Sequence, residues 1–292
     1  MRRVVVVIGG SSGIGLAAAR AFADRGDAVV LAARSADGLA AAEAILGADG
    51  AAEVEAVATD VNSEADVEAL FARAVERFLR VDVVVHSATV MGYGTIETMP
   101  GEVFETVVDT AIHGTARVAR HVLPLFRRQQ YGSFIIVNSL LGSIAVPRMG
   151  AYATSKWGQL ALVRTLQQET RDERHIHVSA VSPGSVNTPI YYQAANYTGK
   201  VPRPPIPVQQ PERMARHILR LVDHPRRQIQ AGPVNRLTIA GFRLVPFVYD
   251  RIVGPLFDLA ALTRSAADAA PGNTLTPSPG DERELGRWPS PQ

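Results

Sequence analysis

Five consecutive apolar residues, Val4 to Ile8, run straight into Gly9-Gly-Ser-Ser-Gly13-Ile-Gly15 and then into an alanine-rich stretch through Arg25. A short apolar run bounded by glycine reads as a fully buried strand, and the alanines behind it read as a helix. A strand that turns on glycine and restarts as a helix is the opening of a parallel sheet covered on both faces. Glycines at such a turn let the backbone come close to a pyrophosphate, and the helix N-terminus offers unpaired N–H groups and a positive dipole end. Gly9, Ser11, Ser12, Gly13, Ile14 and Gly15 are therefore candidate phosphate-binding residues. Their spacing is Gly-x-x-x-Gly-x-Gly, not the commoner Gly-x-Gly-x-x-Gly.

The rest of the chain continues this alternation. Strands are expected near 4–8, 28–32, 53–58, 82–86, 133–138, 176–181 and 227–231, with helices between them. This predicts an α/β, doubly wound parallel sheet, a Rossmann fold, as a single domain over residues 1–232. Residues 233–264 form an apolar C-terminal extension: Val234 to Leu262 carries too many charges to span a membrane, Arg236, Arg243, Asp250, Arg251 and Asp258 among them. That apolar surface is expected to pack on the body or on a partner subunit, with a peripheral membrane contact as the second reading. Residues 265–292, rich in Pro, Gly, Ser and charge, are expected to be a disordered tail. The segment from Pro189 to Pro207 is long for a loop and reads as a substrate lid.

Tyr152-Ala-Thr-Ser-Lys156, preceded by Ser139, carries the chemistry. Residues four apart share a helix face, so Tyr152 and Lys156 lie one turn apart. A phenol with pKa near ~10 is a poor acid-base group at neutral pH, and an adjacent ammonium is expected to draw it toward the working range. The chain has only two lysines, Lys156 and Lys200, among thirty Lys and Arg, so lysine at this place is a marked choice. Ser139 can hydrogen-bond a carbonyl oxygen that gains negative charge.

Taken in order, the glycine loop, Asp60-Val61, His86-Ser-Ala-Thr89, Ser139, Tyr152-x-x-x-Lys156 and Pro183-Gly-Ser-Val-Asn-Thr188 resemble the short-chain dehydrogenase/reductase family over roughly residues 3 to 232. The resemblance implies catalysis by Ser139, Tyr152 and Lys156. It implies dinucleotide binding by the glycine loop, Asp60, Val61, Ser87, Ala88, Tyr152, Lys156, Pro183, Gly184, Val186 and Thr188. The substrate would meet Ser139, Leu141, Tyr152 and Tyr191, with Met91 and Val146 adding apolar wall. A homodimer or homotetramer built on helices near 103–128 and 152–172 is the family's habit.

After the second strand such folds place an acid for the 2′-hydroxyl of NAD or a basic group for the 2′-phosphate of NADP. Here Ala33 holds the place of the acid and Arg34 follows, which points to NADP(H), with NAD(H) the alternative. Three departures stand out: Ile8 for the family's threonine, His86-Ser87-Ala88-Thr89 for Asn-Asn-Ala-Gly, and Ala111 for the helix asparagine whose water links the lysine to solvent. His113 cannot replace it, because two residues rotate roughly 200° around a helix. The function read from the chain is interconversion of a ketone or aldehyde with its alcohol. The other reading is a dinucleotide-binding sensor or scaffold with little turnover.

Composition narrows the partners. A net charge of +2 without a basic, aromatic-laced stripe predicts no nucleic-acid partner. Zero cysteines exclude disulfides and thiolate sites, and His175 and His177 lack further ligands nearby, so no metal is expected. A first strand starting at about residue 4 leaves no room for a signal peptide, and a cytoplasmic enzyme acting on a small hydrophobic substrate is expected.

Overall fold

The computed structural model describes residues 2–48, 53–278, 280 and 282–287. Seven strands form one parallel sheet: β1 (Val4–Ile8), β2 (Ala28–Ala33), β3 (Val54–Ala58), β4 (Val83–His86), β5 (Gly132–Val137), β6 (Ile176–Pro183) and β7 (Gln228–Ala231). Their order is β7-β6-β5-β4-β1-β2-β3. The winding direction therefore reverses between β1 and β4, which pair in register from Val5 with Val83 to Ile8 with His86. Such a reversal opens a crevice at the carboxyl ends of the strands. Every sequence motif named above follows a strand end, so the topology delivers them to that one edge.

The helices are α1 (Gly13–Ala23), α2 (Ala36–Gly47), α3 (Glu64–Phe78), α4 (Gly101–Val108), α5 (Gly114–Gln129), α6 (Gly150–Glu169), α7 (Ile190–Gln193), α8 (Pro211–Asp223), α9 (Asn235–Leu244) and α10 (Pro246–Ala261). The period of two in β1 explains why both sheet faces need cover. Val5 and Val7 join Leu16, Phe22, Met214 and Ile218 on one side. Val6 and Ile8 join Val67, Leu70, Val118 and Val122 on the other. A third apolar cluster, with Met91, Tyr93, Met149, Tyr152 and Phe257, lies beyond the strand ends and lines the crevice.

The expected lid is held by pairing. Ala195–Asn196 runs parallel to Gly92–Tyr93, and Lys200–Pro202 pairs antiparallel with Leu262–Ala266. The apolar extension packs on the body with one face only. Phe242 meets Trp157 of α6 and Tyr249 edge-on, at 6.1 and 5.2 Å between ring centroids. Arg148 grips Asp258 with two bonds of 2.7 and 2.9 Å. The opposite face stays open, with Leu244 and Phe247 about four-fifths exposed at 79% and 80%. No helix among the described residues is long and apolar enough to cross a membrane.

The tail makes contacts of its own. Residues 265–278 and 282–287 lie against the body: Asn196 bridges Ala270, Asn273 donates its backbone N–H to the Gln193 carbonyl at 2.8 Å, and Arg20 pairs with Glu284 at 2.8 Å. Poor apolar content prevents such a segment from building its own core. It does not prevent backbone groups from pairing with a surface that has already folded. Residues 279, 281 and 288–292 of that tail lie outside the described residues.

Candidate active site

The crevice is a cleft of about 1100 Å³ reaching from the glycine loop to α10. Gly9 and Gly13 both have positive φ, +80° and +52°. At Gly9 a Cβ would meet the Ala88 backbone nitrogen at 2.6 Å, and at Gly13 it would press on Thr188 at 3.1 Å. Only glycine lets the loop close this tightly on the ends of β4 and β6. Ser11, Ser12, Ile14, Arg34, Asp60, Val61, Ser87, Pro183, Gly184 and Val186 complete the expected dinucleotide wall. Gly15 does not face the cleft; a Cβ there would strike the Gly9 carbonyl, so its task is closing the turn on α1. Asp60 is held by the Asn62 N–H at 2.9 Å. These residues form a cradle of the shape and polarity that a nicotinamide dinucleotide requires.

Ser139 starts a short 3₁₀ turn, Leu140–Gly142, and accepts from the Leu141 N–H at 3.1 Å. Across the cleft it faces the Tyr152 phenol on the first turn of α6. Burial pushes the Tyr152 phenol above its ordinary value, the neighbouring Tyr191 adds to this, and Ser139 works in the other direction. Lys156 differs from its expected place. It is fully buried behind the cleft wall, and its Nζ donates to the Val137 carbonyl at 3.1 Å and to Gln159 Oε1 at 3.0 Å. The nitrogen lies 5.6 Å from the Tyr152 ring centre, over the ring and not at its hydroxyl. The ammonium is thus absent from the groups that lower the phenol, and Tyr152 remains a proton donor at neutral pH.

Burial pulls Lys156 itself down to about 7 from its ordinary 10.5. Between these values the unfolded chain holds a proton that the folded chain lacks, so stability rises with pH across that window and is lowest below it. Melting of the cofactor-free protein should therefore shift upward between about pH 7 and about pH 9.5. Lys156→Met should melt without that slope. A flat wild-type profile would contradict the buried position of this lysine.

Ala111 lies in a π-helical turn, Asp109–His113, that links α4 to α5, and is fully buried. Its carbonyl accepts from Thr115 Oγ1 at 2.6 Å and from Gln159 Nε2 at 3.2 Å. Gln159 Oε1 accepts from Lys156 and from Asn138 Nδ2, each at 3.0 Å. One amide side chain therefore spans from Lys156 to the Ala111 carbonyl, across the gap left by the missing asparagine. The sequence reading missed Gln159, although its position three residues after Lys156 on the same helix was a usable signal. His113 points outward to Asp109, as its helical position requires. His86 is buried with neither ring nitrogen bonded among the described residues, and burial together with Lys156 holds it at about 3, hence neutral.

On the substrate side, Met91, Leu141, Val146 and Tyr191 all line the cleft. Tyr191 is tied by its hydroxyl to Ser185 and the Val186 backbone. Sequence reading overlooked the far wall, in which α10 contributes Tyr249, Ile252, Leu256 and Phe257. Tyr249 donates to the Ala145 carbonyl at 2.9 Å and anchors that helix over the loop between Ser139 and Tyr152.

A doubly wound sheet with a glycine cradle and a Ser-Tyr-Lys set at its switch point defines a class of dinucleotide-dependent oxidoreductases. The short chain dehydrogenase family model matches residues 3–196, and the chain belongs to that family. Over 190 residues it is 36% identical to a monensin polyketide synthase putative ketoacyl reductase of Streptomyces virginiae, covering 64% of this chain and 72% of that one. It is 35% identical over 193 residues to 2-(R)-hydroxypropyl-CoM dehydrogenase of Xanthobacter autotrophicus, covering 65% and 77%. Among solved structures, an alcohol dehydrogenase of Thermococcus sibiricus complexed with 5-hydroxy-NADP superposes with a TM-score of 0.69 at 28% identity, covering 78% and 95%.

Proposed function

We propose that the protein is an NADP(H)-dependent oxidoreductase that interconverts a ketone or aldehyde and its alcohol, with Tyr152 as the acid and base. The observation that carries this reading is that Ser139 and Tyr152 line the same glycine-lined crevice, with Ser139 acting on the Tyr152 phenol. A bound nicotinamide would supply or accept the hydride. Tyr152, protonated at neutral pH, gives its proton to the carbonyl oxygen in the reducing direction, and Ser139 donates a hydrogen bond to that oxygen as charge develops. Lys156 would hold the nicotinamide ribose once its Nζ turns from Val137 and Gln159 toward the cleft, and solvent entering the cleft restores the Tyr152 proton. The apolar wall from Met91, Leu141, Val146, Tyr191 and α10 supports a small hydrophobic substrate, and the names of the two relatives fit keto and alcohol groups. The exposed face of α9 and α10 supports self-association, and use of a cytoplasmic cofactor supports a cytoplasmic location.

NADPH consumption across a panel of ketones and aldehydes tests the reading. No oxidation of bound NADPH with any of them would leave a dinucleotide-binding protein. The NADP(H) preference rests on Ala33 and on Arg34, which lines the cleft. Arg34→Ala should weaken NADPH binding by one charge-assisted contact, about 1.5–3 kcal/mol, and leave NADH nearly unchanged. Equal losses for both cofactors in a fluorescence titration would count against the assignment.

A further inference from the structure

The C-terminal tail crosses the adenosine half of the crevice, and it takes up there the contacts that a phosphorylated ribose needs. The carbonyls of Asn273 and Thr274 accept from the Arg34 guanidinium at 2.7 and 3.3 Å. Farther along, the Glu282 carboxylate lies beside Ser35 and lines the same cleft as Ser11 and Arg34; burial pushes it above its ordinary value, and these three neighbours work in the other direction. It lies so close over Gly38, in the first turn of α2, that a Cβ there would fall inside it. The Arg283 carbonyl then accepts from the Gly13 N–H at 3.0 Å, and the Gly286 N–H donates to the Asn187 carbonyl at 3.1 Å. The tail thus runs from Arg34 across the glycine loop to the segment that leads into Thr188.

Two hydroxyls, a helix N-terminus and a guanidinium converging on one point form an anion site. Glu282 fills it incompletely, because one of its oxygens has no hydrogen-bond partner among the described residues. The place is that of the 2′ substituent of an adenosine ribose, beyond β2 and beside Ala33, where the end of β2 supplies no acid.

We propose that the tail is a cofactor-competitive strap in which Glu282 stands in for the 2′-phosphate of NADP(H), which must expel it to reach Arg34. A phosphate and a carboxylate cannot share these donors, since like charges at hydrogen-bond range repel. Arg34 must likewise exchange two tail carbonyls for the phosphate. The 2′-hydroxyl of NAD(H) has no conflict with Glu282, since it can donate to it, although any dinucleotide must still displace the Arg283 carbonyl from the Gly13 N–H. Cofactor discrimination is thereby set by a residue far from the domain body in sequence. The proposal rests on the NADP(H) reading of Arg34.

The test compares the full chain with Glu282→Gln, which keeps the shape and removes the charge, and with a chain ending at Ala270. Titrated with NADPH, both variants should bind about tenfold more tightly than the full chain, the weight of one charged contact. NADH should bind no more tightly to Glu282→Gln than to the wild type. Trypsin should cut the wild-type tail at Arg283 faster with NADPH present, and by a clearly smaller factor with NADH, whose pyrophosphate competes only for the Gly13 N–H. Equal or weaker NADPH binding by both variants, or slower cleavage with NADPH, would overturn the strap. If all three proteins bind NADH and none binds NADPH, the NADP(H) reading itself falls and the proposal falls with it.

Discussion

Tyr152→Phe should lower turnover by a factor of about 10² or more while NADPH affinity stays within about twofold. The substitution keeps the ring, which is 8% exposed and belongs to the apolar cluster beyond the strand ends, so the fold and the cofactor cradle survive. What it removes is the phenol proton that faces Ser139 across the cleft. Single-turnover NADPH oxidation separates chemistry from binding. A rate within a few-fold of wild type would remove Tyr152 from the mechanism.

Gln159→Leu should lower both stability and rate. The side chain is fully buried and makes four hydrogen bonds, to Lys156, Asn138, Thr115 and the Ala111 carbonyl. Leucine fits the volume and satisfies none of them. Each orphaned buried group costs about 1–3 kcal/mol, and since the four share one site the total is less than additive, roughly 2–4 kcal/mol. Calorimetry should register this as a Tm lower by several degrees. Turnover should fall by about tenfold or more, because Lys156 loses the partner that orients it. Gln159→Glu isolates the second effect: it still accepts from Lys156 but cannot donate to the Ala111 carbonyl. If the leucine variant melts and reacts like wild type, Gln159 is merely buried.

Much of this protein could be read before it was seen folded. All seven sheet strands lie within a residue or two of their expected positions, because the inner strands are largely apolar and buried on both faces, and the half-buried edge strands still stand between turn-forming residues. The glycine loop, Ser139 and Tyr152 met in one crevice because each follows a strand's carboxyl end, and parallel topology gathers those ends. The Lys156 environment could not be read the same way. The spacing from Tyr152 to Lys156 placed the two side chains on one helix face, but where Nζ pointed depended on Val137, from β5, and on whether a competing acceptor lay within reach.

Local pattern therefore determined the elements, their order and the chemical inventory of the site, since periodicity, turn residues and motif spacing act over a few residues of chain. Contacts between distant segments were decided by the tertiary structure alone. Ala111 meets Gln159 across 48 residues. Arg34 meets Asn273 and Thr274 across 239 and 240. Tyr249 meets Ala145 across 104. Such pairs leave no period or spacing in the sequence, and they form only after the sheet has carried both partners to the same edge, where buried or half-buried polar groups must find one another or remain unpaired.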